Sequence, residues 1–422
     1  MNDSILDKIK QGIEDMCYIW AKEIRATIND EGVLIFCILV PIFYPLIYSW
    51  AYNNEVTRDV PVAIVDYSKS QLSREFIHSI DASPNTKVAF LCNSIEEAKD
   101  LVKHQVVNGI IYLPENFDIL INRGQQANVS VYCDMSLMLS YKSILESVQG
   151  VSTKMNTEIQ LAHQSGMTDR DEAIATNPLV CEEVPIFNTT GGYGNSIIPG
   201  VLMLVLQQTL LLGIGLAAGT ARETNRNKDL VPISKHYNGI FRIVLGKSMA
   251  YFMLYLVLGA YLTLVVPKLF GFTSIVEPKA LIGLMIPYIL ACIFFGMALS
   301  GFVRYRENVM LLVIFTSVPL LFMSGISWPQ SNIPGMWQGV SWLFPSTFGI
   351  RGYVRINTMG ATLIDIKSEY QTLWMQVVIY FFTTCMVYRT KIIHARKKAV
   401  EQMERRQQKA LKAKVGNLDN NG

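Results

Sequence analysis

The sequence predicts an α-helical polytopic membrane protein, with six transmembrane helices and an inserted extracytoplasmic α/β domain. Three observations predict it. Half of the 422 residues are hydrophobic and only 17% are charged. Six separate runs of about 18 to 24 residues lack Asp, Glu, Lys and Arg, and about 20 apolar residues suffice for a helix to cross roughly 30 Å of hydrocarbon. Between the first two runs lie about 140 residues of mixed polarity, far too many for a loop. The net charge of +3 is small for the length, and the basic residues crowd the ends of the apolar runs. Positive-inside topology explains that placement, so membrane lipid is an expected partner and nucleic acid is not.

Residues 1–32 lack the small-residue cleavage pattern of a signal peptide. Ile9, Ile13, Met16 and Trp20 sit three or four apart among Lys8, Lys10, Lys22 and Arg25, which makes a cytosolic amphipathic helix. Such a helix either lies on the inner membrane surface or packs against another cytosolic element. Residues 33–51 form the first span, with Pro41 and Pro45 tolerated where neighbours satisfy the freed carbonyls.

Residues 52–195 then fall outside, as an α/β domain. Val60 to Val65, Val88 to Leu91, Gly109 to Leu113 and Asn128 to Tyr132 read as strands. Helical spacing appears at Leu72, Phe76, Ile77 and Ile80, after Ser94 with Glu97 as a capping box, after Pro114, and from about Ser136 to His163. Alternating βα units favour a small α/β fold. The stretch 164–195, ending in Asn188-Thr-Thr-Gly-Gly-Tyr-Gly, reads as a linker rather than a phosphate cradle, since no strand precedes it. Cys92, Cys133 and Cys181 allow at most one disulfide, and the sequence does not choose the pair.

Residues 196–389 hold five more spans, at about Ser196 to Ala218, Ser248 to Pro267, Leu281 to Val303, Val309 to Ser327 and Leu373 to Tyr388. The loop 220–247 between the first two carries Arg222, Arg226, Lys228, Lys235, Arg242 and Lys247, which keeps it in the cytosol. Arg304 and Arg306 also belong inside, as does the basic tail 390–422, so both termini are cytoplasmic. The tail reads as a topology anchor near anionic lipid.

No span carries an ionisable residue, although ion-driven carriers and channels usually keep one at membrane depth. Gln207 and Gln208 are the most polar pair in the spans. Helix-to-helix hydrogen bonding is the first reading of them and contact with a transported ligand the second. Gly246-Lys247-Ser248 looks like the end of a Walker A loop, but the glycine that motif needs five residues earlier is Phe241. His-Glu-x-x-His, Gly-x-Ser-x-Gly and paired Cys-x-x-Cys motifs are missing, and the five histidines are scattered, so neither an enzyme nor a metal centre is expected.

The outer loop 324–357 carries Ser324, Gly325, Trp328, Pro329, Pro334, Trp337, Trp342, Pro345, Arg351 and Arg355. Its tryptophans belong at a membrane interface, either as a plain aromatic belt or as short re-entrant helices whose backbone is covered by protein.

One span, a large outside domain and five further spans together resemble the permease subunit of ABC-2 type exporters, in the branch with an insertion after the first span. Ser324-Gly followed by Pro329, Pro334, the Leu343-Phe-Pro345 turn and Arg351 to Arg355 is similar to that family's outer loop. Arg222-Glu223, Val231-Pro232-Ile-Ser and Gly246-Lys247 are similar to its cytosolic loop, although Thr224-Asn225 stands where the family often has Gly-Thr. Ile64-Val-Asp66 and Pro114-Glu-Asn-Phe117 are similar to its outside domain.

The resemblance implies an ATPase-coupling loop with Arg222, Glu223, Arg226, Lys228 and Pro232, engaging a separate ATP-binding cassette subunit. It implies no cofactor on this chain, with ATP and Mg on the partner. It also implies a second permease copy or paralogue, a periplasmic adaptor (membrane fusion) protein, and residence in a bacterial inner membrane. The expected function is export of a small amphiphilic, drug-like or lipid-like substrate. The alternative is a receptor or scaffold whose outer domain senses a ligand without transport.

Overall fold

A computed structural model describes residues 5–52, 57–135, 137–163, 187–188, 192–223, 239–303 and 305–419. The chain divides into two compact units, Asn54–Pro185 and the rest, each with its own core.

In the first unit the strands are β1 (Val60–Asp66), β2 (Thr86–Cys92), β3 (Gly109–Leu113) and β4 (Ser130–Cys133), in the order β2-β1-β3-β4. β1 pairs in parallel with β2 and β3, and β4 runs antiparallel to β3. Strand side chains alternate between faces, so Val60, Val62 and Ile64 enter one core while Ala63 and Val65 enter another. For this numbering α1 (Ile5–Asn29) and α2 (Glu31–Ala51) precede the unit. Within it, α3 (Gln71–Asp81) and α6 (Met138–His163) cover the first face, with Phe117 of α5 (Phe117–Asn122) edge-on against Phe76. Ala98 of α4 (Ile95–Lys103) covers the second. The Ser94 cap forms with a shift: Ser94 Oγ accepts from the Glu97 N–H, while the Glu97 carboxylate accepts from Asn93 rather than from Ser94. Asp66 organises the β1–α3 turn by accepting from the Ser68 and Lys69 N–H groups and the Ser73 hydroxyl.

The register excludes one cysteine pair. Cys92 sits opposite Val65, and Cys133 lies opposite Gly109, two strands further across. Three strand spacings of roughly 4.8 Å put them at least about 14 Å apart, against at most ~7 Å between bridged Cα atoms. Cys181 lies outside the described residues.

The second unit is helical. Five of its described helices are long and apolar enough to cross a membrane: α2, α7 (Tyr193–Glu223), α8 (Ile240–Leu269), α9 (Pro278–Leu299) and α10 (Arg306–Met323). The expected last span, Leu373 to Tyr388, lies in the first part of one long helix, α13 (Lys367–Asp419), where Gln, Thr and Tyr dilute the apolar residues. Between α10 and α13 come a 3₁₀ turn at Gln330–Asn332, α11 (Gly335–Ser341) and α12 (Pro345–Met359). α7 is central, with 94% of its apolar stretch buried, whereas α10 at 17% lies at the edge.

α1 packs against another helix of the unit, one of the two arrangements open to it from the sequence. Ile13 is half-exposed, and the covered face is Asp15, Ile19 and Glu23, seated on the start of α8. Arg242 pairs with Asp15 and Lys247 with Glu23, both at 2.8 Å, and Tyr251 donates to Glu23. Charge pairs flank the buried Ile19, while Met16 and Trp20 of the apolar stripe are half-buried.

A Cys181→Ser protein should contain no disulfide between Cys92 and Cys133. Alkylation after denaturation without reductant should modify both thiols. A pair resistant until reduction would overturn the register.

Candidate functional site

α2, α7 and α10 enclose an open apolar groove of about 540 Å³. Phe36, Tyr44 and Tyr48 of α2 face Leu204, Gln208 and Leu212 of α7, with Ile314 and Leu321 of α10 completing the wall. Its sequence origin is a size step along α7. Beyond the groove that helix carries Gly213 and Gly215, where an added Cβ would stand 1.8 Å from the Cys37 sulfur and 2.5 Å from Val309. There α2 and α10 close onto α7; alongside Leu204 to Leu212 larger side chains hold them off.

The closed end is locked by charge. Asp30, at the N-cap of α2, accepts from the Val33 N–H, from the Thr220 hydroxyl at 2.7 Å and from Arg306 at 2.7 Å. One carboxylate thus ties α2, α7 and α10 together. Burial pulls its pKa up, but the Thr220 and Val33 hydrogen bonds and the Arg306 charge outweigh that and leave it below the ordinary carboxylate range.

Beside this junction, Arg222 at the end of α7 donates to the backbone carbonyls of Gly301, at 2.7 Å, and Val303, in the turn after α9. Lys391 of α13 donates to Ser300 at 3.1 Å and lies over the Tyr388 ring. Its burial, and then the charges of Arg222 and Lys247, push its pKa down to about 7.

Gln207 and Gln208 have separate fates. Gln207 is fully buried, donates to the Ser346 hydroxyl at 3.1 Å, and accepts from the Ser346 N–H at 2.6 Å and the Cys292 thiol. It caps the first turn of α12 from the middle of α7. Gln208 is 7% exposed, lines the groove, and neither its Nε2 nor its Oε1 has a hydrogen-bond partner among the described residues. Leaving such a group unmet costs about 1–3 kcal/mol.

A family model described as "ABC-2 family transporter protein" matches residues 32–386, most of the chain. The chain belongs to the ABC-2 family of transporter proteins. It is also 25% identical over 394 residues to the inner membrane transport permease YhhJ of Escherichia coli, with 88% of this chain and 96% of the relative covered. The match to YhhJ of Shigella flexneri has the same extent. A membrane transport permease, multi-pass in an inner membrane, is what family and helices together support.

For this ABC-2 protein the residues expected in the coupling loop divide. Arg226, Lys228 and Pro232 lie outside the described residues. Glu223 ends α7 exposed, while Arg222 is turned inward onto the α9–α10 turn. Arg242 and Lys247 belong to α8 and answer α1, so they are not part of a free polar loop. Gly246-Lys247-Ser248 is a helical turn packed on Ile19, with Ser248 bonded to the Leu245 carbonyl.

In the segment 324–357, expected to be an outer loop, the prolines begin helical pieces: Pro329 precedes the 3₁₀ turn, Pro334 precedes α11, and Pro345 opens α12. Gly325, at φ 92°, ends α10 in a conformation that L side chains rarely adopt. Arg351 caps that end, donating to the Ser324 and Met323 carbonyls, and Arg355 pairs with Glu369 at 3.2 Å and donates to the Asp365 carbonyl. Trp328, Trp337 and Trp342 are each about half exposed. α12 itself is core: Phe348, Ile350, Tyr353 and Ile356 are buried.

Asp30→Asn and Arg306→Ala should each lower the thermal stability of the detergent-solubilised protein. Their double-mutant cycle should show a coupling of about 1–3 kcal/mol. Additive losses would remove the junction as a unit.

The depressed Lys391 pKa fixes a sign. Between about 7 and the ordinary lysine value of 10.5 the unfolded chain binds the extra proton, so stability rises with pH there and is flat below about 7. Lys391→Met should raise the melting temperature near pH 7 and abolish part of the slope between pH 7 and 9.5; an unchanged slope would contradict the assignment.

Proposed function

We propose that the chain is the membrane-spanning subunit of an ABC-2 exporter with six spans and both termini in the cytosol. ATP and Mg act on a separate cassette ATPase, and a second permease copy or paralogue completes the pathway. The α/β unit is the extracytoplasmic domain and docks a periplasmic adaptor. The substrate is a small amphiphile, drug-like or lipid-like. The observation that carries this reading is the open apolar groove of α2, α7 and α10, closed at the end where α7 leads into residues 224–239.

The chemistry of that end supplies a mechanism. ATP binding would draw the partner subunits together and displace the 224–239 segments with them. Force on α7 reaches the α9–α10 turn through Arg222 and reaches α2 and α10 through Thr220, Asp30 and Arg306. The three groove helices would therefore shift as packed bodies rather than fray. A groove that binds substrate more tightly in one arrangement than in the other then drives net export.

The test is to tag the chain after Gly422, extract membranes in mild detergent, identify what co-purifies and assay ATP hydrolysis. A cassette ATPase is expected in the eluate. Arg226→Glu with Lys228→Glu should leave the protein in the membrane and sever ATP hydrolysis from export by tenfold or more. A chain that purifies alone, or with a partner lacking ATPase activity, would overturn the exporter reading in favour of a receptor or scaffold.

A further inference from the structure

We infer that residues 135–139 seat the α/β unit on the lipid surface from which α2 emerges, with the side chains of Met135, Leu137, Met138 and Leu139 entering the edge of the hydrocarbon. The inference needs α2 to span the membrane and does not need export.

The stretch Met135-Ser-Leu-Met-Leu139 joins β4 to α6. Its four large apolar side chains are 63%, 47%, 65% and 44% exposed, and none belongs to either core of the unit. Contiguous apolar surface of this kind marks a binding face, unlike apolar residues scattered singly. Polarity then changes along one helix. From Lys142 to Gln160 of α6 no large apolar side chain is exposed, and the outward positions include the pairs Lys142–Glu146 and Lys154–Glu158. A helix apolar at its first turn and charged beyond it fits an element that leaves hydrocarbon for water.

Strand pairing fixes which end of the sheet carries the stretch. β4 runs antiparallel to β3, so its last residues lie beside the first residues of β3 and β1. Cys133 sits opposite Gly109, the Asp134 N–H donates to the Asn108 carbonyl, and the Asn108 N–H donates to the Pro61 carbonyl. That is the end at which the chain enters β1 after α2. α6 is tied to the same entry, because the Thr57 and Ser143 hydroxyls are hydrogen-bonded at 2.6 Å. Thr57 comes five residues after Tyr52, the C-cap of α2, so the chain itself holds it within about 18 Å of the end of that span.

Lipid is the occupant that this chemistry suits. Met and Leu make non-directional contacts, which a fluid hydrocarbon can meet. The stretch has neither the Trp nor the Arg that commonly anchor protein interfaces. Asp134 precedes it and Lys142 follows it, so charge stands at both margins and none within.

The experiment places the full-length protein, with whatever co-purifies, in nanodiscs of phosphatidylethanolamine and phosphatidylglycerol. They are doped with a phosphatidylcholine whose acyl chain carries a diazirine near its glycerol end. After photolysis, peptides bearing lipid adducts are mapped by mass spectrometry. Adducts should fall on Met135, Leu137, Met138 and Leu139. The control is Leu91 of the same unit, which is 69% exposed but sits opposite Ile64, three rungs along the sheet from Pro61. It should stay unlabelled. Met135→Asp with Met138→Asp should cut the adducts about tenfold or more, because hydrocarbon strongly disfavours aspartate. The melting temperature should hold, since both side chains lie outside the cores. If that variant fails to fold, the wild-type labelling pattern still decides. No adducts on 135–139, or equal labelling of Leu91, would overturn the inference. So would p-benzoylphenylalanine placed at Met138 cross-linking mainly to a second copy or a co-purifying protein, since a protein would then cover the patch. Adducts confined to 135–139 with no ATPase in the preparation would leave this surface standing without export.

Discussion

Backbone polar groups buried among apolar helices must find partners inside the protein, and the second unit is built around meeting that demand at its helix breaks. The break before α12 is the clearest case. Gln207 of α7 accepts from the Ser346 N–H, Gln376 of α13 donates to the Trp342 carbonyl at 2.7 Å, and Tyr380 of the same helix donates to the Leu343 carbonyl. Side chains from two long helices thus satisfy three backbone groups that α11 and α12 leave open. Arg351 does the same for the end of α10 and Arg222 for the end of α9. A short helix such as α12 can then occupy the core, with Phe348, Ile350 and Tyr353 buried, and not float at a surface. The polar residues of these helices are mostly consumed this way, which makes the unmet Gln208 amide a departure from the pattern.

The same economy explains the charges. α1 brings Asp15 and Glu23 to Arg242 and Lys247, and Asp30 brings a carboxylate to Arg306. Partly buried pairs of this kind contribute modest net stability, because desolvation offsets much of the Coulomb gain. Their stronger effect is on geometry: each fixes which face of one helix meets another. Lys391, packed near Arg222 and Lys247, is the counter-example, a cation whose surroundings favour its neutral form.

The α/β unit was nearly all legible in the sequence, because its signals are local. Period-two strands, the Ser94 cap and the Pro114 turn depend on residues within a few positions of one another. The long apolar helices were legible for a related reason, since crossing length and composition are local counts. What the sequence hid was rotation and partnership. α7 is buried all round, so no amphipathic pattern distinguishes the face of Gln207 from that of Gln208. Arg222 reads as a solvent-facing cation in a basic loop, and its carbonyl partners lie some 80 positions later, beyond any motif. The docked face of α1 was not legible, because Asp15 and Glu23 find their partners only when Arg242 and Lys247, more than 200 positions later, are set beside them.

The placement of the groove follows from these ties. Along α7, small residues next to Cys37 and Val309 pull α2 and α10 inward, and Asp30 then clamps the three helices at that end. Packed helices are effectively rigid bodies, so clamping one end while bulky residues prop the middle leaves a wedge-shaped space. On the exporter reading, the clamp is the place where force from a partner ATPase would arrive. A small rotation at the clamp would be magnified along helices of 18 to 31 residues. Opening and closing of the groove then requires no hinge within the helices, only exchange between two packings at the Asp30 end. On the same reading, walls with no Asp, Glu, Lys, Arg or His among the described residues would suffice: the energy would enter through the ends, and the walls would need only to prefer the ligand in one of the two arrangements.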